Sequence, residues 1–155
     1  MLPFQDALYY VLQNCRKLKP ALTPVEKARG LVLAQDVVAL EAIPPFANTA
    51  MDGFAVRSQD VKTPPSTLRI IETIAAGHSP KMEVCEGEAS RIMTGAPIPD
   101  GANAIVMVEQ TEVDGDELTV NISVPVGNHI RPIGDDIPKG ELVFEKGTLL
   151  TPGHL

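Results

Sequence analysis

Oxygen-bearing side chains in turn contexts are the residues of this chain whose types and spacing could do chemistry. Asp52 precedes a glycine, between a double proline and a short apolar run. Thr94 also precedes a glycine, and Asp135 and Asp136 follow one. Carboxylate oxygens suit Mg²⁺, which usually keeps several waters and is held by one or two carboxylates together with substrate phosphates. Such a set can orient a phosphate-bearing substrate for displacement, because the metal neutralises developing charge.

Plain turn chemistry is the alternative interpretation of each of these positions. Aspartate is common before glycine in turns, because its side chain bonds nearby backbone and glycine tolerates a positive φ. Asp135 and Asp136 can form an Asx-turn into the isoleucine and proline that follow them, and Thr94 can lie in an ordinary loop. The residues by themselves leave both interpretations open.

Other catalytic patterns are missing from the sequence. No serine lies in a Gly-x-Ser-x-Gly elbow, and no Gly-x-x-x-x-Gly-Lys-Ser/Thr loop is present to hold nucleotide phosphates. The histidines have no pair at the spacing of helical zinc ligands: His78, His129 and His154. We interpret His129 as a structural residue on a strand.

The first elements that must position these residues have helical patterns. Apolar residues recur at helical spacing from Phe4 to Leu18, which predicts a first helix. Residues 23–26 (TPVE) combine an N-cap threonine, a proline at the first helical position and a glutamate three residues after the cap. This capping-box pattern predicts a second helix that ends near Gln35.

Beyond Asp36 the pattern changes to short strands. Strands are predicted at residues 37–40, 68–75 and 104–108, and hairpins around Asp114-Gly115 and Lys146-Gly147. This order favours an α+β fold, with N-terminal helices plus a linker with short strands, carrying an inserted mainly β lobe. The predicted domains are a discontinuous N-terminal and linker domain, residues 1–44 and 137–155, and an inserted β-rich lobe, residues 45–136.

Composition limits the classes of partner. The net charge of -7, without a stripe of Lys or Arg to offset it, argues against nucleic-acid binding. No apolar run approaches the length of a membrane span, so no membrane partner is expected. The first residues have no basic segment typical of a signal peptide, and Cys15 and Cys85 have no metal-ligand spacing. We therefore expect reduced thiols and a cytoplasmic location.

Three ordered segments resemble the signatures of a known family. They are residues 44–56 (PPFANTAMDGFAV), 91–106 (RIMTGAPIPDGANAIV) and 128–140 (NHIRPIGDDIPKG). Together they resemble the molybdopterin molybdenumtransferases, the MoeA/gephyrin family, in its N-terminal and linker region only. Two departures are Ala47 and Asn103, where the family often has aspartate. The resemblance does not reach the family's molybdopterin-binding α/β domain or its small C-terminal β domain, which are expected to be absent from this chain.

The resemblance implies an enzymatic function and a set of site residues. Family members convert adenylylated molybdopterin and molybdate, with Mg²⁺, into molybdenum cofactor and AMP. By position, the implied catalytic residues are Asp52, Thr94 and Asp136, with Asp52 and Asp136 as Mg²⁺ ligands. Thr94 would supply a hydroxyl or backbone contact to an oxyanion. The implied cofactor-binding residues are Gly53, Gly95 and Asp135.

The resemblance also implies partners. Family members dimerise, so a homodimer is expected. The pterin-binding domain is expected to complete the site in cis or in trans, and the molybdopterin-adenylylating protein is expected to supply the substrate. The chain is then the N-terminal part of a molybdenum insertase, incomplete when alone. The alternative is a non-catalytic scaffold or protein-interaction module of the gephyrin-like type, with exposed β edges as contact surfaces.

Overall fold

The computed structural model describes residues 2–155 and is mainly β. Strands hold 29% of the residues and helices 16%, and much of the helical share is short 3-10 turns. The predicted α+β fold with N-terminal helices plus a linker is therefore wrong: the fold is a mainly β structure with one α-helix and a curled sheet. The α-helix, α1, is Phe4–Asn14, and none of its residues is buried.

The predicted second helix is the main reason for this correction. The TPVE pattern forms only one 3-10 turn, Val25–Lys27, and no side chain caps it. Gly30 has a φ of 79°, which ends the helical path, and its amide donates to the carbonyl of Leu150 at 2.8 Å. Val32 then forms an isolated β-bridge with Leu149. Pairing with a segment far along the chain has overridden a local helical pattern.

The chain divides into two compact units. The first comprises residues up to Val37 together with Val143–Leu155, and the second is Val38–Leu142. In the first unit, the Lys146 amide donates to the Asp36 carboxylate at 2.7 Å, and residues 152–154 form a 3-10 turn. The predicted domain boundaries at residues 44 and 137 stay a prediction.

A six-stranded sheet dominates the second unit, in the order β6-β3-β5-β4-β8-β7. Its strands are β3 (Gly53–Val56), β4 (Ser66–Ile74), β5 (Glu88–Ile92), β6 (Ala104–Met107), β7 (Thr111–Asp114) and β8 (Glu117–Val120). All neighbours in this sheet are antiparallel except β4 and β5, which are parallel. The remaining strands are two short pairs: β1 (Val37–Val38) with β10 (Leu142–Phe144), and β2 (Asn48–Thr49) with β9 (Ile130–Arg131).

The predicted hairpin at Asp114-Gly115 is confirmed by the pairing of β7 with β8. Asp114 faces Glu117, so the loop has two residues, and Gly115 at its first position has a φ of 61°. Glycine at that position suits a type II′ turn. The predicted strand at residues 104–108 is confirmed for Ala104–Met107, of which Ala104, Ile105 and Val106 are fully buried, whereas Val108 is exposed and begins a 3-10 turn.

The sheet separates two apolar clusters. One contains Phe54, Val56, Leu68, Ala89, Val106 and Leu118, among others. The second is smaller and contains Ala55, Ile74, Ile92, Ala96 and Ile105. Residues that alternate along β3, β5 and β6 belong alternately to the two clusters, as the two-residue period of a strand requires. Among residues 2–155, no helix is long and apolar enough to cross a membrane.

Candidate functional site

The three signature segments meet at one end of β3. Backbone hydrogen bonds link the first segment to the second, from the Thr49 amide to the Ala96 carbonyl at 3.1 Å and from the Gly95 amide to the Thr49 carbonyl at 2.9 Å. The Ala50 amide donates to the His129 carbonyl at 3.0 Å, which links the first segment to the third. The candidate residues are therefore positioned by main-chain contacts between segments far apart in sequence.

Glycines make this close approach possible. A Cβ at Gly53 would collide with the carbonyl oxygen of Val106 on β6, so only glycine fits at the start of β3. Gly95 has a φ of 82°, in the left-handed region that glycine adopts without strain. Both glycines shape the backbone beside Asp52 and Thr94. Their predicted contact with a cofactor stays a prediction.

Asp52 and Thr94 form the central contact of the site. The backbone amide of Thr94 donates to Asp52 Oδ1 at 2.7 Å, and the Thr94 hydroxyl donates to the same oxygen at 2.7 Å. Both residues are exposed. Because both hydrogen bonds fall on Oδ1, the other carboxylate oxygen, Oδ2, remains available to a ligand. Both donors of Thr94 are used by Asp52.

These contacts keep Asp52 ionised. The backbone hydrogen bond from Thr94 lowers the pKa of the Asp52 carboxyl most, and the Thr94 hydroxyl lowers it further. Partial desolvation opposes this shift, and the positive charge of Arg91 adds to it. Hydrogen bonds that are made to the charged form favour that form. Asp52 is thus a fixed, ionised carboxylate on the surface.

The structure places Asp136 in a different set of contacts. Its amide donates to the Ile43 carbonyl at 3.0 Å, and its Oδ2 lies 3.8 Å from an Arg131 nitrogen. Asp135 lies in the preceding turn, where its amide donates to the Pro132 carbonyl at 3.3 Å. The direct contact between predicted site residues is that of Asp52 with Thr94, whereas Asp136 is paired with an arginine.

The donor set fits a weakly held Mg²⁺ better than a closed metal cage. Across residues 2–155, no group of three or more His, Cys, Asp or Glu side chains is arranged to hold a metal ion. Asp52 offers one ionised carboxylate oxygen, and Asp136 would have to exchange its arginine partner for a metal. Mg²⁺ often takes one or two carboxylates and completes its shell with waters and substrate phosphates. The residues present are compatible with that mode.

Sequence reasoning missed two residues near this contact. Asn48, on β2, is only 5% exposed, and its Oδ1 is buried without a hydrogen-bond partner in the described chain. Arg91, on β5, is exposed near Asp52. No local pattern distinguished Arg91, because its relation to Asp52 depends on the pairing of β3 with β5. No local pattern distinguished Asn48 either.

Comparison with known proteins agrees with the three segments. The family model "MoeA N-terminal region (domain I and II)" matches residues 2–155. "Molybdopterin molybdenumtransferase 2" of Mycobacterium tuberculosis is 41% identical over 155 residues, and "Molybdopterin molybdenumtransferase" of Staphylococcus aureus is 37% identical over 159 residues. These alignments cover 97% and 99% of this chain but 38% of each relative.

A solved structure has the same fold. The crystal structure of the molybdopterin biosynthesis moeA protein from Pyrococcus horikoshii OT3 matches 99% of this chain, with a TM-score of 0.90 and 38% sequence identity. The match covers 42% of that protein. The chain therefore spans about two fifths of the length of the relatives that it matches, and it belongs to the MoeA N-terminal region (domain I and II) family.

Proposed function

We propose that this chain is the N-terminal part of a molybdenum insertase, which converts adenylylated molybdopterin and molybdate into molybdenum cofactor and AMP. Membership of the MoeA N-terminal family and the activity of the named relatives, molybdopterin molybdenumtransferases, support this reaction. The observation that carries the proposal is the Asp52–Thr94 contact, a fixed carboxylate at the meeting point of the three signature segments.

Asp52 has the central role in this proposal. Its Oδ2 would bind Mg²⁺, and Asp136 would be a second ligand once its pairing with Arg131 is released. When bound, Mg²⁺ would supply positive charge that lets a pyrophosphate approach a carboxylate. Thr94 would act mainly by holding the Asp52 side chain in position, since both of its donors already go to Oδ1. Gly53, Gly95 and Asp135 would form the adjoining backbone surface.

The complete reaction needs partners beyond this chain. The proposal includes a homodimer and a pterin-binding domain, which completes the site in cis or in trans. It also includes the molybdopterin-adenylylating protein as the source of substrate. The proposal includes a cytoplasmic location, where the free and exposed thiols of Cys15 and Cys85 would stay reduced.

Molybdate-dependent release of AMP tests this function. Adenylylated molybdopterin, molybdate and Mg²⁺ would be mixed with the chain, with and without an added pterin-binding domain. We expect release only after that domain is added. No release in either mixture, with the chain folded, would overturn the proposal.

Two variants, each of which removes one carboxylate, test whether the reaction takes place at this site. Asp52→Asn keeps the size of the side chain but removes the carboxylate, so we expect AMP release to fall by about a hundredfold or more. The matched control is Asp114→Asn, which removes another exposed aspartate before a glycine, in the β7–β8 hairpin. Equal rates for the two variants would contradict the role of Asp52.

A binding module is the second candidate function, and α1 favours it. The helix has no buried residue, and its large apolar side chains are exposed, including Phe4 at 74%, Tyr9 at 67% and Leu12 at 63%. Exposed apolar surface of this extent is typical of a contact face. A scaffold role predicts that the chain releases no AMP in any mixture, that Asp52→Asn leaves partner binding intact, and that Tyr9→Ser weakens binding.

A further inference from the structure

Arg91 is an exposed cation on an interior strand of the sheet. It lies on β5, which has β3 on one side and β4 on the other. Its neighbours Ala89, Ser90 and Ile92 are completely buried, whereas Arg91 is exposed. Its side chain therefore meets water rather than the apolar core, as is common on the solvated part of an antiparallel sheet.

The register of the sheet places Arg91 beside Asp52. Phe54 on β3 faces Arg91 on β5, and Gly53 faces Ile92. Asp52 immediately precedes β3, and its hydrogen-bond partner Thr94 follows β5 by two residues. Arg91 therefore lies on the strand that leads into the Asp52–Thr94 contact. The contribution of Arg91 to the lowered Asp52 pKa is consistent with this placement.

Arg91 has no acidic partner in the described chain. The ion pairs found within residues 2–155 are Arg57–Asp60, Arg69–Glu88 and Arg131–Asp136. Among residues 2–155, the Arg91 side chain makes no hydrogen bond either. Its guanidinium donors are therefore available to a ligand, next to a carboxylate that Thr94 holds in place.

An anion at this site needs a donor that the predicted residues do not provide. Both donors of Thr94 are used by Asp52, and Asp52 itself repels negative charge. We infer that Arg91 binds the oxyanion of a phosphate-bearing ligand beside Asp52. The planar guanidinium matches a phosphate through two parallel hydrogen bonds, which a lysine cannot reproduce. The identity of the anion as the pyrophosphate of adenylylated molybdopterin rests on the proposed function.

A titration with inorganic pyrophosphate tests the binding residue directly. The amide signals of residues 92–95 would be followed by ¹⁵N NMR in the wild-type chain and in Arg91→Ala and Arg91→Lys. We expect saturable shifts in the wild type, an affinity lowered about tenfold or more in Arg91→Ala, and an intermediate loss in Arg91→Lys. The matched control is Arg69→Ala, which removes an equal charge from the same sheet and should leave the affinity within about twofold.

Each outcome decides the inference. No saturable shift in the wild type, or equal affinity in the wild type and Arg91→Ala, would overturn it. An equal loss in Arg69→Ala would also overturn it, because the effect would then be one of net charge. The same spectra report folding, so if Arg91→Ala unfolds, Arg91→Lys decides the question by the same criterion.

Measuring AMP release together with pyrophosphate binding distinguishes a failure of this inference from a failure of the proposed function. Pyrophosphate binding that depends on Arg91 without any AMP release would support the anion site and overturn the insertase. AMP release with an unchanged KM in Arg91→Lys would support the insertase and overturn the anion site. With both correct, Arg91→Lys raises KM more than it lowers kcat, because the contact is made in the bound substrate as well as in the transition state.

Discussion

At the scale of single residues, the site depends on how one carboxylate is held. Thr94 makes two hydrogen bonds to one oxygen of Asp52 and none to the other, so it fixes the side chain and leaves half of the carboxylate available. Residues 52 and 94 were both predicted, but their direct contact was not. Forty-two residues separate them, and no local pattern reports a contact across that distance.

The first prediction concerns the hydroxyl of Thr94. Thr94→Ala removes the hydroxyl donor and keeps the backbone donor, which has the larger effect on Asp52. We expect the pKa of Asp52 to rise but to remain below its ordinary value, as measured by NMR titration of the carboxyl carbon. Thr148→Ala, which removes a hydroxyl bonded to the Glu145 carbonyl, is the control. An unchanged Asp52 pKa in Thr94→Ala would refute the assigned contact.

The second prediction concerns stability and pH. The pKa of Asp52 is lowered by folding, so its contribution to stability is complete above the unfolded value of about 3.9 and is lost as pH falls through the folded value. Urea unfolding at pH 7 and pH 2.5 should therefore show a stability difference between wild type and Asp52→Asn that shrinks at the lower pH. If the stability difference between wild type and Asp52→Asn is the same at both pH values, the charge of the Asp52 carboxylate does not contribute to stability.

Glu88 provides an internal comparison for that experiment. Its pKa is lowered first by the hydrogen bond from Arg69 and then by the Cys85 amide. Glu88→Gln should therefore show the same sign of pH dependence as Asp52→Asn. Because the two carboxylates have no shared partner, their effects should add in the double variant.

At the scale of elements, local patterns predicted the first helix and several strands, but the predicted second helix and the hairpin around Lys146-Gly147 are wrong, since β10 pairs with β1 and Leu149 with Val32. Strand β6 and the β7–β8 hairpin were predicted because a continuous apolar run and an Asp-Gly turn act locally. The helix after residue 23 failed because Gly30 and Val32 pair with residues 149–150 near the other end of the chain. The predicted capping box did not form, and the segment makes only one 3-10 turn without a side-chain cap.

The restriction to local patterns also explains which site residues could be predicted from the sequence. Turn chemistry and the three signatures indicated Asp52, Thr94 and Asp136, because each lies in a recognisable local string. Arg91 became meaningful only through the β3–β5 register, which no single segment contains. The pairing of Asp136 with Arg131 likewise depends on the folded turn between them.

The third prediction belongs to strand β3. Gly53→Ala should destabilise the protein by about 3 kcal/mol, because the added Cβ would collide with the main chain of β6 rather than with a flexible side chain. Gly87→Ala is the control, since its φ of 74° is unfavourable for alanine but no atom lies within 4 Å of the added Cβ. That variant should lose about 1–2 kcal/mol. Urea denaturation measures both, and a smaller loss for Gly53→Ala would contradict the close approach.

At the scale of the whole molecule, the two units differ in how much they bury. In the second unit, the interior strands of the sheet contain side chains with no exposed surface, such as Ala55, Val56 and Ala89. In the first unit, α1 has no buried residue. An isolated helix of this length is marginal in water, because most helical stability in proteins comes from packing.

The fourth prediction follows from that difference. Amide hydrogens of α1 should exchange much faster than those of β3 and β5, as measured by NMR hydrogen exchange on the wild-type chain. Protection of α1 equal to that of the sheet would show that a surface covers the helix in solution. Sedimentation at several concentrations would then identify a second copy of the chain as that surface or exclude it.

The ends of the second unit lie side by side. The Ala39 amide donates to the Glu141 carbonyl at 2.9 Å, and the Gly140 amide donates to the Ala39 carbonyl at 2.8 Å. A stretch that enters and leaves at one point can be grafted into a surface loop of another protein without distorting the host, because the host backbone needs only a small gap. We therefore expect that residues 38–142 can be inserted into a loop of a host protein as one unit, with Asp52, Thr94 and Arg91 in the same arrangement.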